Sequence, residues 1–151
     1  MLLMEPFDLP CEFCGFFCSG QSNMVFPLKL TLNATDEIAT LHKYPNFRFF
    51  MTQRDSSPVP LWNLRSSNDS GSCDAKSTAD GCNRWWTAEQ ALANGLIDDF
   101  SAVCYMTVRD VARLHTGTRP VALVQSAWGG TRGGGGLGAA GIIKILIKIS
   151  K

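Results

Sequence analysis

An α/β fold built on a parallel sheet is what this sequence predicts, on three observations. The run "VALVQSAW" at 121–128 is continuously apolar over its first half, as in a strand buried on both faces. Before it, Phe100, Val103, Cys104, Thr107, Val108, Val111, Ala112 and His115 recur at three- and four-residue steps, so one face of a helix is apolar while Arg109, Asp110 and Arg113 point elsewhere. Near the start, "FCGFFC" at 13–18 is a short apolar run that breaks at Ser19-Gly20 into a polar loop. Helix, short loop and buried strand form half of a crossover unit, and crossover units build parallel sheets.

The remaining elements follow in order. After the first strand, Asn33 or Thr35 is the expected N-cap of a helix through "DEIATLHKY", which Pro45 stops. "FRFFM" at 47–51 alternates as a second strand. Residues 52–84, rich in Ser, Asn, Asp, Gly and Pro, read as a long surface excursion. Structure resumes at "WWTAEQALANGLIDDF" and continues into the amphipathic helix, which Gly117 ends. From Gly133 the composition changes: "GGGGLGAAG" is low-complexity, and in "IIKILIKISK" Ile143, Ile145, Ile147 and Ile149 alternate as in an edge strand.

A chain of 151 residues is long enough for one domain that buries about two-thirds of its unfolded surface. A net charge of +1 gives no electrostatic footprint for nucleic acid or an anionic membrane, and small neutral or modestly charged ligands fit better. No window reaches the eighteen apolar residues of a membrane span, and "MLLMEPFDLP" lacks the basic start and apolar length of a secretory signal. Of the six cysteines, Cys11 and Cys14 have half-site spacing, but no second pair completes a metal site. Cys73 and Cys82 either close the loop "CDAKSTADGC" as a disulfide or stand as exposed thiols. Cys18 and Cys104 sit in apolar runs, where a thiol behaves as a small buried hydrophobe.

Chemistry enters with Ser22 in "CSGQSNM", 18–24. A serine just past a strand's carboxyl end can expose its hydroxyl while neighbouring backbone N–H groups face an oxyanion; Gly20 allows the tight turn and Asn23 can donate a hydrogen bond. A serine beside a glycine is also a common turn residue. The second element, "SAWGGTR" at 126–132, lies at the end of the buried strand, and parallel sheets bind ligands beyond their carboxyl ends. Gly129 and Gly130 would then lie beside Ser22, either aiming an N–H at a carbonyl oxygen or simply ending the strand.

Together, "CSGQSNM", "YPNFRFF", "FSAVCYMTVRDVARL" and "RPVALVQSAWGGT" closely resemble, in order and distance, blocks of the sialate O-acetylesterase family. The resemblance covers about 17–132 and implies a flavodoxin-like three-layer αβα domain of the SGNH hydrolase type, here partial and truncated. It divides the chain into a divergent segment 1–16, a partial catalytic domain 17–132 and a Gly-rich linker with a Lys/Ile tail, 133–151. It implies that Ser22 is the nucleophile, that its backbone N–H helps hold the oxyanion with Gly129 or Gly130, and that Gln21 and Asn23 shape the pocket. The implied substrate is an acetyl ester on a sugar, above all O-acetylated sialic acid, cleaved through an acetyl-enzyme with no metal or organic cofactor. A secreted or lysosomal setting is implied as well.

Two family blocks are absent from these residues. The family's base is a histidine with an aspartate three residues before it, preceded by a Gln-Gly-Glu block. The only histidines here are His42 and His115, with Ala39 and Ala112 at the minus-three positions. His42 is expected to be solvated, and His115 to pack or cap at a helix end. The expectation is therefore an esterase by ancestry that is inactive alone, because a serine without its base loses most of its activation. The alternative is a non-catalytic homologue acting as a carbohydrate-binding or protein-interaction module. An incomplete sheet also offers an edge for self-association.

Overall fold

The structure is a computed structural model and describes residues 14–52, 83–114, 119–127 and 129–130. Strands β1 (Cys14–Gly20), β2 (Phe47–Met51), β3 (Trp85–Thr87) and β4 (Val121–Ala127) form one sheet in the order β1-β4-β2-β3. β4 is interior and parallel to both neighbours, running from Cys14 opposite Val121 to Gly20 opposite Ala127 on one side, and from Phe47 opposite Val121 to Met51 opposite Gln125 on the other. β3 adds the antiparallel partner of β2, with Trp86 opposite Phe49. The α/β class expected from the crossover pattern is the class observed.

The two-residue period of the strands divides the sheet into two faces. Phe47, Phe49, Met51, Trp86 and Leu123 lie in one apolar cluster, with Phe16, Cys18 and Val121 packed against it. Helices α1 (Ser22–Val25), α2 (Ala34–Ala39), α3 (Ala88–Ala93), α4 (Leu96–Asp99) and α5 (Ala102–Leu114) succeed one another around the strands. Among the residues of this part of the chain, Leu28, Leu41, Ala91, Leu96, Ile97, Phe100, Tyr105 and Val108 fill that cluster. Phe100 meets Phe49 edge-on at 5.1 Å, a geometry favoured by the ring quadrupoles. Ala122, Val124 and Phe50, on the reverse face, are buried as well. Burial on both faces is why β4 reads as an unbroken apolar run.

Several local outcomes refine the sequence reading. The second strand falls on 47–51 as expected, and the amphipathic helix is α5. Asn33 does precede α2, but it adopts a left-handed conformation (φ 57°) and its side chain makes no capping bond. After α2 the chain tightens into a 3-10 turn, Thr40–Lys43. β3 was hidden by its three-residue length. Its last residue opens α3 with a capping box: Thr87 Oγ1 accepts from the Gln90 N–H (3.1 Å), and Gln90 Oε1 accepts from the Thr87 N–H (3.0 Å). Cys11, Cys73, Cys82, His115, nearly all of 1–16 and the segment 133–151 lie outside the described residues. Among the described residues no helix is long and apolar enough to cross a membrane.

Candidate active site

Ser22 is the first residue of α1, two positions past the end of β1. The Gln21 carbonyl accepts from the Met24 N–H (2.9 Å) and the Val25 N–H (3.0 Å), which folds the chain back immediately after the strand. That reversal requires Gly20: its φ is 156°, and a Cβ there would lie 3.1 Å from Met24 Cβ. β4 ends at Ala127, which pairs with Gly20, so the chain beyond each strand leaves the sheet at the same rim. A Cβ on Gly129 would sit 3.9 Å from Ser22 Cα, in van der Waals contact, and Gly130 holds a left-handed φ of 79°. Gln21, Ser22, Asn23, Gly129 and Gly130 are all exposed. The structure thus brings the serine turn and the glycine turn together at the carboxyl ends of two adjacent parallel strands.

Beneath this rim is a layer that the sequence did not reveal. Cys18 and Cys104 form a disulfide with a Cα–Cα separation of 5.8 Å, joining β1 to α5, so they are not the independent buried thiols expected from their apolar surroundings. The cause is geometric. The core face of β1 directs Cys18 at the first turn of α5, where Cys104 is positioned by the Ser101 cap. Ser101 is fully buried; its Oγ accepts from the Cys104 N–H (3.1 Å) and donates to Met24 Sδ (3.4 Å). The Ser101 N–H donates in turn to Gln125 Oε1 (2.7 Å). An isolated antiparallel bridge between Pro27 and Ser101, bonded through Leu28 N–H to Phe100 O and Ala102 N–H to Phe26 O, anchors the exit of α1 to the same point.

The opposite rim holds the described histidine. His42 lies in the 3-10 turn that leads into β2, and β2 runs parallel to β1, so the turn is at the amino end of the sheet while Ser22 is at the carboxyl end. Its ring is exposed, as expected, and Nδ1 hydrogen-bonds the Ala39 carbonyl. Other polar groups are engaged in structure. Burial pulls the Arg109 guanidinium down, but bonds to Asp110 and Glu37 outweigh it and raise its pKa above the ordinary value. Burial also raises the Tyr105 phenol, whose oxygen lies 3.3 Å from Thr40 Oγ1. Among the described residues no cluster of three or more His, Cys, Asp or Glu side chains could hold a metal.

In overall fold the chain is similar to a solved carbohydrate acetylesterase from Xanthomonas citri. The superposition has a TM-score of 0.53 and 24% identity, and covers 80% of this chain and 22% of that one. The likeness is one of fold, a mixed α/β sheet with its helices. In sequence, the sialate O-acetylesterase of Rattus norvegicus is 30% identical over 118 residues and that of Mus musculus 32% identical over 116, each match taking in 77% of this chain. These matches support a relationship to the sialate O-acetylesterases, and the chain spans 19% of the length of these curated relatives. No protein-family model matches it.

Proposed function

We propose that this chain carries the nucleophile half of an acetylesterase site, with Ser22 as nucleophile and an O-acetylated sugar, sialic acid foremost, as substrate. The observation that carries the proposal is the proximity of Gly129 to the Ser22 turn at the carboxyl rim, where a Cβ on Gly129 would reach Ser22 Cα at 3.9 Å. An acyl-transfer site needs a hydroxyl and oxyanion donors within reach of one carbonyl, and the rim supplies both kinds of group from two strand ends. Ser22 Oγ would attack the acetyl carbon while the oxyanion rests against the Ser22 N–H and an N–H of Gly129 or Gly130. Gln21 and Asn23 flank the exposed hydroxyl and would orient the sugar. The sugar hydroxyl then leaves, and water releases acetate from the acetyl-serine.

The proton on Ser22 Oγ must go to a base, and His42 is at the wrong end of the sheet. No histidine in the 151 residues has an aspartate three positions before it. The proposal therefore includes that these residues alone turn over acetyl esters only when a base is supplied. Imidazole in solution provides one. With an activated aryl acetate, turnover that depends on Ser22 should be absent without imidazole, rise with it, and vanish in Ser22→Ala. Ser22-dependent turnover without imidazole would overturn the inactivity, whereas none in its presence, in a folded sample, would overturn the nucleophile assignment. The second outcome would leave a binding or interaction module. The Cys18–Cys104 bridge fits maturation in an oxidising compartment.

A further inference from the structure

We infer that Gln125 is a positioning residue that fixes the spacing between the nucleophile turn and the glycine turn; this rests on the assignment of Ser22 given above. Gln125 is 3% exposed, in the interior strand of the sheet. Val121 and Leu123 share its face of β4, and Cys18 and Met51 stand opposite it on the two flanking strands. An amide in such a row is costly unless it is hydrogen-bonded. Its Oε1 is committed to the N–H of Ser101, a buried backbone donor that precedes α5.

From Ser101 the connection runs to the nucleophile by two routes. One is the Oγ bond to Met24 Sδ, two residues along α1 from Ser22. The other is the Pro27–Ser101 bridge at the exit of α1. In the other direction, Gln125 is four residues before Gly129 on the strand that delivers the glycine turn. One side chain thus ties both halves of the rim to a common point. An apolar residue of the same size would fill the space but leave the Ser101 N–H without this acceptor and the α1 support free to shift. Gln125 touches no reacting atom and acts through Ser101 and Met24.

The test compares the wild-type chain with Gln125→Met, which removes the acceptor at similar volume, and Gln125→Glu, which restores an acceptor oxygen when read at mildly acidic pH. Two readouts are taken on folded protein. Amide hydrogen exchange at Met24 and Val25 is compared with that at Phe49 in the core, and Ser22 labelling by an aryl phosphonate with imidazole as base is measured against phosphonate concentration. Gln125→Met should speed exchange at Met24 and Val25 by up to about tenfold, the equivalent of one hydrogen bond, and leave Phe49 nearly unchanged. It should lower the maximal labelling rate by a similar factor without moving the half-saturating concentration, and Gln125→Glu should recover both. Unchanged exchange at α1, equal acceleration at Phe49, or no recovery in Gln125→Glu would overturn the inference. If the wild-type chain is not labelled at all, the Ser22 assignment fails, and α1 exchange still decides whether Gln125 positions the turn.

Discussion

The two ends of the sheet are built differently. At the carboxyl rim, two exposed turns that carry no charged side chain, around Ser22 and Gly129, rest on a disulfide, a buried cap at Ser101 and a buried amide at Gln125. At the amino rim these side-chain bonds are exposed: His42 to the Ala39 carbonyl and Arg48 to the Pro45 carbonyl (2.9 Å) stay within one turn, and Asn46 to the Arg119 carbonyl (2.7 Å) joins two segments at the surface. Exposed bonds compete with water and contribute little, whereas buried bonds fix one element against another. The difference teaches where the fold invests its precision, at the rim that would do chemistry.

This contrast is broken most severely by removing the bridge. Cys18 and Cys104 are 86 residues apart, so replacing both by serine should cost about 4–5 kcal/mol of stability by loop-closure entropy, read as a lower denaturant midpoint that reductant reproduces in the wild-type chain. Gly20→Ala comes next. The added Cβ would meet Met24 at 3.1 Å, so the turn must shift, at about 1–3 kcal/mol, and Ser22 labelling should fall more than stability does. A smaller effect concerns the helix layer in alkali. Burial raises the Tyr105 phenol above its ordinary value of 10.0, so the folded state holds the proton more tightly than the unfolded state. Its contribution is fully present below about pH 10 and is lost as pH climbs through the folded value; Tyr105→Phe should flatten that decline in denaturant midpoint. At the amino rim, His42→Ala should change stability by no more than about 0.5 kcal/mol and leave Ser22 labelling with imidazole untouched. Loss of labelling in that variant would show that the two rims communicate.

How much of this was legible in the sequence follows from the range of each interaction. Strand β4 showed as an apolar run because both its faces are covered, and α5 because its apolar period extends over three turns. The pairing of Ser22 with Gly129 was readable because parallel strands deliver their following loops to one rim. β3 escaped because Trp85-Trp86-Thr87 is too short to display a period. The brace escaped for another reason. Ser101 to Gln125 and Cys18 to Cys104 are contacts between distant segments, and six cysteines allow many pairings that spacing alone does not rank. A glutamine within "VALVQSAW" was the one visible sign, since an amide in a strand buried on both faces must have a partner.

The most direct test of the central claim is to treat the folded chain with an aryl phosphonate across a series of imidazole concentrations and locate the adduct by peptide mass mapping. The expected result is a single adduct on Ser22, negligible without imidazole and growing with it. An adduct on another residue, or none at any imidazole concentration, would contradict the account.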